Sequence, residues 1–170
     1  MTLPVVLNFV FFQMLWFSCV VGAGAYGLAW LAIGAVAPIA ALTWFSRTRS
    51  ADVLVATVAL CAGLIIDNIW VAFGILTYPD YTFAPFWIAL LWVGLGLTVN
   101  HSMAFFRDNT FIGSLIVALA APLTYLTGER FGAVSVNDIY LTPLISLAWF
   151  GVFFAMSKFA LWLVHSEAEA

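Results

Sequence analysis

The chain has 170 residues, of which 65% are hydrophobic and only 8% are charged, and its mean hydropathy is +1.12. A soluble domain of this length needs many more ionic groups on its surface, so the composition excludes that class and predicts a membrane protein. The net charge is only −3, and the five Lys and Arg residues are scattered along the chain. This pattern excludes a basic nucleic-acid-binding surface.

Six apolar runs are long enough to cross a bilayer, because about 20 helical residues span the roughly 30 Å hydrocarbon layer. They lie near Leu3–Gly22, Tyr26–Phe45, Val53–Leu76, Pro85–Phe106, Thr110–Thr127 and Ile139–Val164. The sequence therefore predicts an all-α, polytopic membrane protein in which residues 1–170 form a single bundle of six transmembrane helices.

The positions of the basic residues predict the orientation of the bundle, because Lys and Arg favour the cytoplasmic ends of spans. If both termini are cytoplasmic, the inner segments contain Arg47, Arg49, Arg107 and Lys158, and the outer segments contain only Arg130. This four-to-one distribution predicts cytoplasmic termini and a multi-pass protein of the cell inner membrane.

A few polar side chains fall inside the predicted spans, where lipid offers them no partner, so each is a candidate for a functional site. A rise of about 1.5 Å per helical residue places them in two layers. The inner layer contains Asn8, Asn100 and His101, the outer layer contains Asp67 and Tyr125, and Gln13 lies between the two.

Small residues follow one face of the third predicted span, with Asp67 at the centre of the stripe. They recur at three- and four-residue steps, which places them on one side of a helix: Ala56, Ala59, Gly63, Trp70 and Gly74. A similar stripe on the fifth span consists of Ser114, Ala118, Ala121, Tyr125 and Glu129. We expect both stripes to be helix-packing seams that turn Asp67 and Tyr125 towards the same interior.

An isolated carboxylate in a span is costly, so Asp67 needs a partner or must be protonated. Arg130, above Tyr125 on the same helix, has a side chain long enough to reach down, and Tyr125 and Asn68 have groups that can donate hydrogen bonds. The sequence leaves open whether Asp67 is ionised.

The polar residues define a candidate ligand-binding set, which is Asn8, Gln13, Asp67, Trp70, Asn100, His101, Tyr125 and Arg130. The leading hypothesis is that the protein binds or transports a small or lipid-like molecule. One alternative is an intramembrane enzyme that acts on a lipid or fatty-acyl chain, with His101 or Asp67 as acid or base. Another is an accessory subunit whose small-residue seams pack on a partner.

The sequence also sets expectations for cofactors and partners. One His and one distant Asp make a poor metal cage, and no cofactor motif is present, so we expect neither a metal nor a cofactor. Membrane lipids are expected partners, nucleic acid is not, and the seam of the third span is equally suited to a homo-oligomer interface.

Four blocks of sequence resemble a bacterial inner-membrane family catalogued as domain of unknown function 2878. They are NFVFFQMLWF (8–17), DNIWVAFGIL (67–76), LTVNHSMAFF (97–106) and APLTYLTGERFGA (121–133). The chain departs from the family pattern at Ala121, where a glycine precedes Pro122 in the family. The resemblance implies no activity. It implies only that a set of residues belongs to the family's motifs, which is Asn8, Gln13, Asp67, Trp70, Asn100, His101, Ser102, Pro122, Tyr125 and Gly128.

Overall fold

Helices dominate the computed structural model, which describes residues 3–28, 36–46 and 48–169. In chain order they are α1 (Leu3–Phe17) with a π-helical continuation (Ser18–Ala25), α2 (Val36–Trp44), α3 (Arg49–Ala72), α4 (Phe86–Gly96), α5 (Ala104–Asp108), α6 (Thr110–Arg130) and α7 (Thr142–Glu169). A short 3-10 turn, Ile139–Leu141, precedes α7. The predicted all-α class is confirmed.

Four helices within the described residues are long and apolar enough to cross a membrane. They are Leu3–Ala25, Arg49–Ala72, Thr110–Arg130 and Ile139–Ser166, and they correspond to the first, third, fifth and sixth predicted spans. The second predicted span is helical over Val36–Trp44, and residues 29–35 of it lie outside the described residues.

The fourth predicted span is not one continuous helix, and this part of the prediction was wrong. Its helix α4 ends at Gly96, α5 begins at Ala104, and residues 97–103 form a series of tight turns that we call the break. The side chain of Asn8 binds both ends of the break: it donates to the Leu97 carbonyl oxygen at 3.2 Å and accepts from the Ser102 amide at 3.2 Å and its hydroxyl at 2.6 Å.

This arrangement explains why the break is tolerated. Backbone groups at membrane depth need hydrogen-bond partners within the protein. The side chain of the buried Asn8 on α1 replaces some of the backbone hydrogen bonds that a continuous helix would have made. Thr98 contributes a further bond, because its hydroxyl donates to the Leu95 carbonyl oxygen at 2.6 Å. The periodicity of the sequence does not show the contacts of Asn8 with the break, because Asn8 lies on another helix.

The helices pack so that α6, α7, α3, α4 and α1 follow one another as neighbours, and α2 lies beside α1. The small-residue face of α3 is buried from Ala56 to Trp70, as predicted. Gly74, which was predicted to continue this face, lies beyond the end of α3 with a φ of +68° and is exposed. Gly96 of α4 lies directly against the backbone of Ala56, and Gly63 lies against the indole ring of Trp92, with no room for a Cβ atom at either glycine. These close approaches hold α4 tightly against α3.

Two short strands close one end of the bundle, which we call the sheet end. Strand β1 (Leu76–Thr77) pairs antiparallel with β2 (Ser135–Val136), with Leu76 opposite Val136. The Glu129 carboxylate accepts from the Val136 amide at 2.8 Å, which ties β2 to α6. The paired strands therefore fix the loop that follows β1, and this loop carries Tyr78 back towards α3.

Candidate functional site

Asp67 lies in the interior of the bundle with 1% of its surface exposed, and it accepts three hydrogen bonds. The hydroxyl of Tyr125 donates to Oδ1 at 2.8 Å, the hydroxyl of Tyr78 donates to the same oxygen at 3.1 Å, and Nε1 of Trp92 donates to Oδ2 at 2.7 Å. The predicted meeting of Asp67 and Tyr125 is thus present. The other two donors come from α4 and from the loop after β1.

The expected partners Arg130 and Asn68 do not bind Asp67. Arg130 is exposed at the sheet end, because a long cationic side chain at a helix end is better solvated when it points outward. Asn68 is turned to the backbone instead, where it donates to the Leu64 carbonyl oxygen at 2.7 Å and accepts from the Ala84 amide at 3.1 Å. Within the described residues no cation pairs with Asp67.

The donors that replace them were missed because each has an ordinary explanation in the sequence. Trp92 fits a tryptophan of the membrane interface, and Tyr78 lies in a loop with two prolines. Burial, and then the neighbouring Asp67, raises the pKa of Tyr78 well above its ordinary value, so its hydroxyl keeps the proton that it donates. The feature of the sequence that could have indicated Trp92 was Gly63, because a small residue four positions before Asp67 leaves room for a large side chain beside the carboxyl group.

A cavity of about 530 Å³ adjoins Asp67, between α1, α4 and α6. This volume falls within the range typical of small-molecule sites. Its wall is mostly aromatic and aliphatic, with Met103 of the break among the lining residues. The polar exceptions are few, and Asp67, Tyr78, Tyr125 and Gln13 are among them.

The cavity is open on one side, between α1 and α6. Helix α6 packs along α7 and meets the first helix at its π-helical continuation, and beyond that meeting point the cavity separates α1 from α6. Several residues that line it are exposed on the outer face of the bundle, including Phe17 on α1 and Ala120, Leu123 and Thr124 on α6. In a bilayer this side would face the hydrocarbon chains of lipids.

The remaining candidate residues occupy three different places. Gln13 lines the cavity and makes no hydrogen bond within the described part of the chain. Trp70 is buried beside the Asp67 level but does not line the cavity. Asn8, Asn100 and His101 lie at or beside the break, so the predicted inner layer is assembled there, but its members bind different partners.

Asn100 and His101 bind the carboxyl group of Asp52, which was not among the predicted site residues. Asp52 is fully buried in the first turns of α3. It accepts from Nδ2 of Asn100 at 2.7 Å, lies 2.6 Å from Nε2 of His101, and also accepts from Thr48 at 3.2 Å and from Ser46. In the sequence, Asp52 ends the short basic connection SRTRSAD (46–52), where an acidic residue attracts no notice.

These contacts form a second polar cluster at the end of the bundle opposite the sheet end. Arg107 of α5 extends it, because its Nη1 donates to the side-chain oxygen of Asn100 at 2.6 Å. The cluster joins the start of α3 to the break and to α5. His101 does not line the cavity, so the two polar sites are separate.

Together, the fold and the site define the class: an all-α protein whose helices have the length and apolarity of membrane spans, with a partly open apolar cavity beside a buried carboxyl group. A family model described as protein of unknown function, DUF2878, matches residues 5–164. The chain belongs to this family, which confirms the resemblance found in its sequence blocks. No curated protein and no solved structure matches the chain.

Proposed function

We propose that the protein binds a lipid-like molecule in the cavity between α1, α4 and α6, and that the molecule enters from the bilayer through the gap between α1 and α6. The observation that carries this proposal is the position of the opening. It lies on the lipid-facing side of two membrane-length helices, and its rim is formed by exposed apolar residues such as Phe17 and Leu123.

The lining of the cavity supports the same proposal. An apolar wall with a small number of polar groups at one position is the usual construction of a site for a small apolar molecule. Here the polar groups gather around Asp67, so the bound molecule would place its polar end there and its apolar end along α1 and α6. Transport of the molecule would use the same opening.

The proposed topology has six spans, cytoplasmic termini and insertion in the bacterial inner membrane. Arg49 and Arg107 lie at the same end of the bundle as the Asp52 cluster, and Arg130 lies at the sheet end. Since basic residues favour the cytoplasm, this distribution supports an inward-facing cluster and an outward-facing sheet end.

An enzyme that acts on a bound lipid would need an acid or base residue beside the cavity. Its candidates were His101 and Asp67, and only Asp67 lines the cavity. A reaction on a bound lipid would therefore depend on Asp67 together with Tyr78 and Tyr125. Binding requires nothing further of these residues, and it is the function that we propose.

Replacing Ala120 with Trp tests the proposed opening. Ala120 is exposed and lines the cavity, so the fold has room for the new side chain, which would fill the gap between α1 and α6. We expect the amount of lipid that copurifies with the protein to fall by about tenfold, because a tryptophan occupies much of a site of this size. The measurement is native mass spectrometry of the purified chain.

Leu119→Trp is the matched control, since Leu119 precedes Ala120 on the same helix, is 64% exposed and does not line the cavity. It should retain the copurified lipid of the wild-type protein. Equal retention by both variants would contradict the proposed opening.

A further inference from the structure

The polar groups that face the cavity are mainly hydrogen-bond acceptors. A carboxylate has about four acceptor positions, and within the described residues three donors reach Asp67. Tyr78 and Tyr125 both give their hydroxyl protons to Asp67, so what remains of each hydroxyl is its acceptor oxygen. These three side chains therefore present lone pairs at one position of the cavity wall.

The other polar side chains of α6 that line the cavity follow the same pattern. Thr124 donates its proton to the Ala120 carbonyl oxygen at 3.3 Å, and Thr127 donates its proton to the Leu123 carbonyl oxygen at 2.7 Å. The indole nitrogens of Trp87 and Trp149 are donors without a hydrogen-bond partner in the described part of the chain, but both atoms are buried. The two threonines therefore have no free proton for a bound molecule.

Donors to a ligand come from α1 instead. The amide of Gln13 and the indole of Trp16 line the cavity, and neither makes a side-chain hydrogen bond to another described residue. Gln13 can both donate and accept, whereas Trp16 can only donate. A group bound between α1 and Asp67 therefore meets acceptors on one side and at least one donor on the other.

The charges of the residues that line the cavity restrict the head group of the ligand further. No Lys, Arg or His is among the described residues that line the cavity, so a phosphate or carboxylate head group would meet Asp67 without any compensating cation. An ammonium group would pair with Asp67, but it cannot accept from Gln13 or Trp16, and it must give up its hydration on entering lipid. A hydroxyl group donates and accepts and carries no charge.

We propose that the cavity is selective for an uncharged, hydroxyl-bearing lipid-like molecule, a long-chain alcohol, whose hydroxyl donates to the Asp67 acceptors and accepts from Gln13 or Trp16. This inference rests on the proposed function and names the class of ligand for the same cavity. It assigns Asp67 and Gln13 to head-group selection and leaves chain binding to the apolar wall.

The test compares four probes of matched chain length, which are hexadecanol, hexadecylamine, palmitic acid and methyl palmitate. Each is titrated into the purified full-length protein, and binding is measured by native mass spectrometry. We expect hexadecanol to bind at least about tenfold more tightly than the acid or the ester, because each of these lacks the donor or adds a buried negative charge. It should also bind more tightly than the amine.

Variants show whether the named residues cause this selectivity. The ratio of alcohol affinity to ester affinity should fall towards one in Asp67→Asn. In Gln13→Leu the affinity for hexadecanol itself should fall about threefold or more, since a hydrogen bond contributes on this scale. Gln13 is only half-buried and makes no side-chain bond within the described residues, so Gln13→Leu preserves the test if Asp67→Asn does not fold. Tyr140→Phe, at an 88% exposed tyrosine, is the control and should leave the ratio unchanged.

The outcomes separate the two proposals. Equal affinity for alcohol and ester, a preference for the acid, or tighter binding of the amine would overturn the alcohol assignment, while binding of the chains would still support a lipid-like ligand. An unchanged ratio in Asp67→Asn, together with an unchanged hexadecanol affinity in Gln13→Leu, would overturn the role of these two residues. Failure of all four probes to bind would overturn the proposed function itself.

Discussion

Replacing Gly63 with Ala is expected to destabilise the protein by about 3 kcal/mol, although the change adds a single methyl group. A Cβ atom at this position would overlap the pyrrole part of the Trp92 indole. The ring is fixed on its other side by Trp149, with ring centroids 4.5 Å apart and planes at 19°. It therefore has to rotate or move away from α3.

Moving Trp92 has a second cost, because its Nε1 donates to Asp67 at 2.7 Å. Overpacking alone typically costs about 1–3 kcal/mol, and leaving a buried hydrogen-bonding group without its partner adds about 1–3 kcal/mol. The two costs do not add fully, because the movement of the Trp92 ring that relieves the overlap with the added Cβ atom is the same movement that breaks its hydrogen bond to Asp67. The free energy of unfolding in mixed micelles, from titration with SDS, measures the result.

The matched control is Gly151→Ala on α7, where an added Cβ meets no atom within 4 Å. Alanine in an open helical position is expected to stabilise by about 0.5–1 kcal/mol relative to glycine. The two substitutions should thus change stability in opposite directions. Equal effects would show that Trp92 does not lie against Gly63 as described.

Asp52→Ala should cost about 3 kcal/mol, because it removes a buried acceptor of several hydrogen bonds and leaves the donors of those bonds unsatisfied. The Asp52 carboxylate is fully buried and binds His101 at 2.6 Å and Asn100 at 2.7 Å. Truncation leaves both partners unpaired next to the break, so the connection between α3 and the segment that follows α4 is lost. Unfolding in mixed micelles again gives the measurement.

Asp108→Ala is the comparison, because Asp108 also binds a nearby side chain, but on the surface. It lies 2.7 Å from Arg107, and its side chain is 54% exposed. Exposed ion pairs contribute about 0–1 kcal/mol, so this variant should unfold close to the wild-type protein. If Asp52→Ala were no less stable than Asp108→Ala, the Asp52 cluster would not hold the break in place.

The layers of polar residues could be predicted from the sequence because helical geometry determines them. Asp67 and Tyr125 were placed at one depth by counting residues along two helices, and their side chains meet at 2.8 Å. The same counting places Asn8 level with Asn100 and His101, and Asn8 binds the next residue, Ser102. Depth and helical face are local properties, so one sequence suffices for them.

The break and the partners of both carboxyl groups could not be predicted, because they depend on how separate segments meet. Residues 97–103 have the composition of a span, and the turn is supported by Asn8, about ninety positions earlier. In the sequence Asp52 belongs to a short polar loop. Its partner His101 lies nearby only because the chain turns at the break. Arg130 was chosen for Asp67 on charge and reach, whereas tyrosine and tryptophan donors satisfy the carboxyl group without a cation.

The central claim is that the cavity beside Asp67 holds a lipid-like molecule that enters from the bilayer. A cryo-EM structure of the protein purified with its native lipids tests this most directly. The account predicts elongated non-protein density that runs from the gap between α1 and α6 to the Asp67 carboxyl group, with its inner end between Asp67 and Gln13. A closed gap, with Phe17 and Leu123 packed together and the cavity filled by side chains, would contradict it.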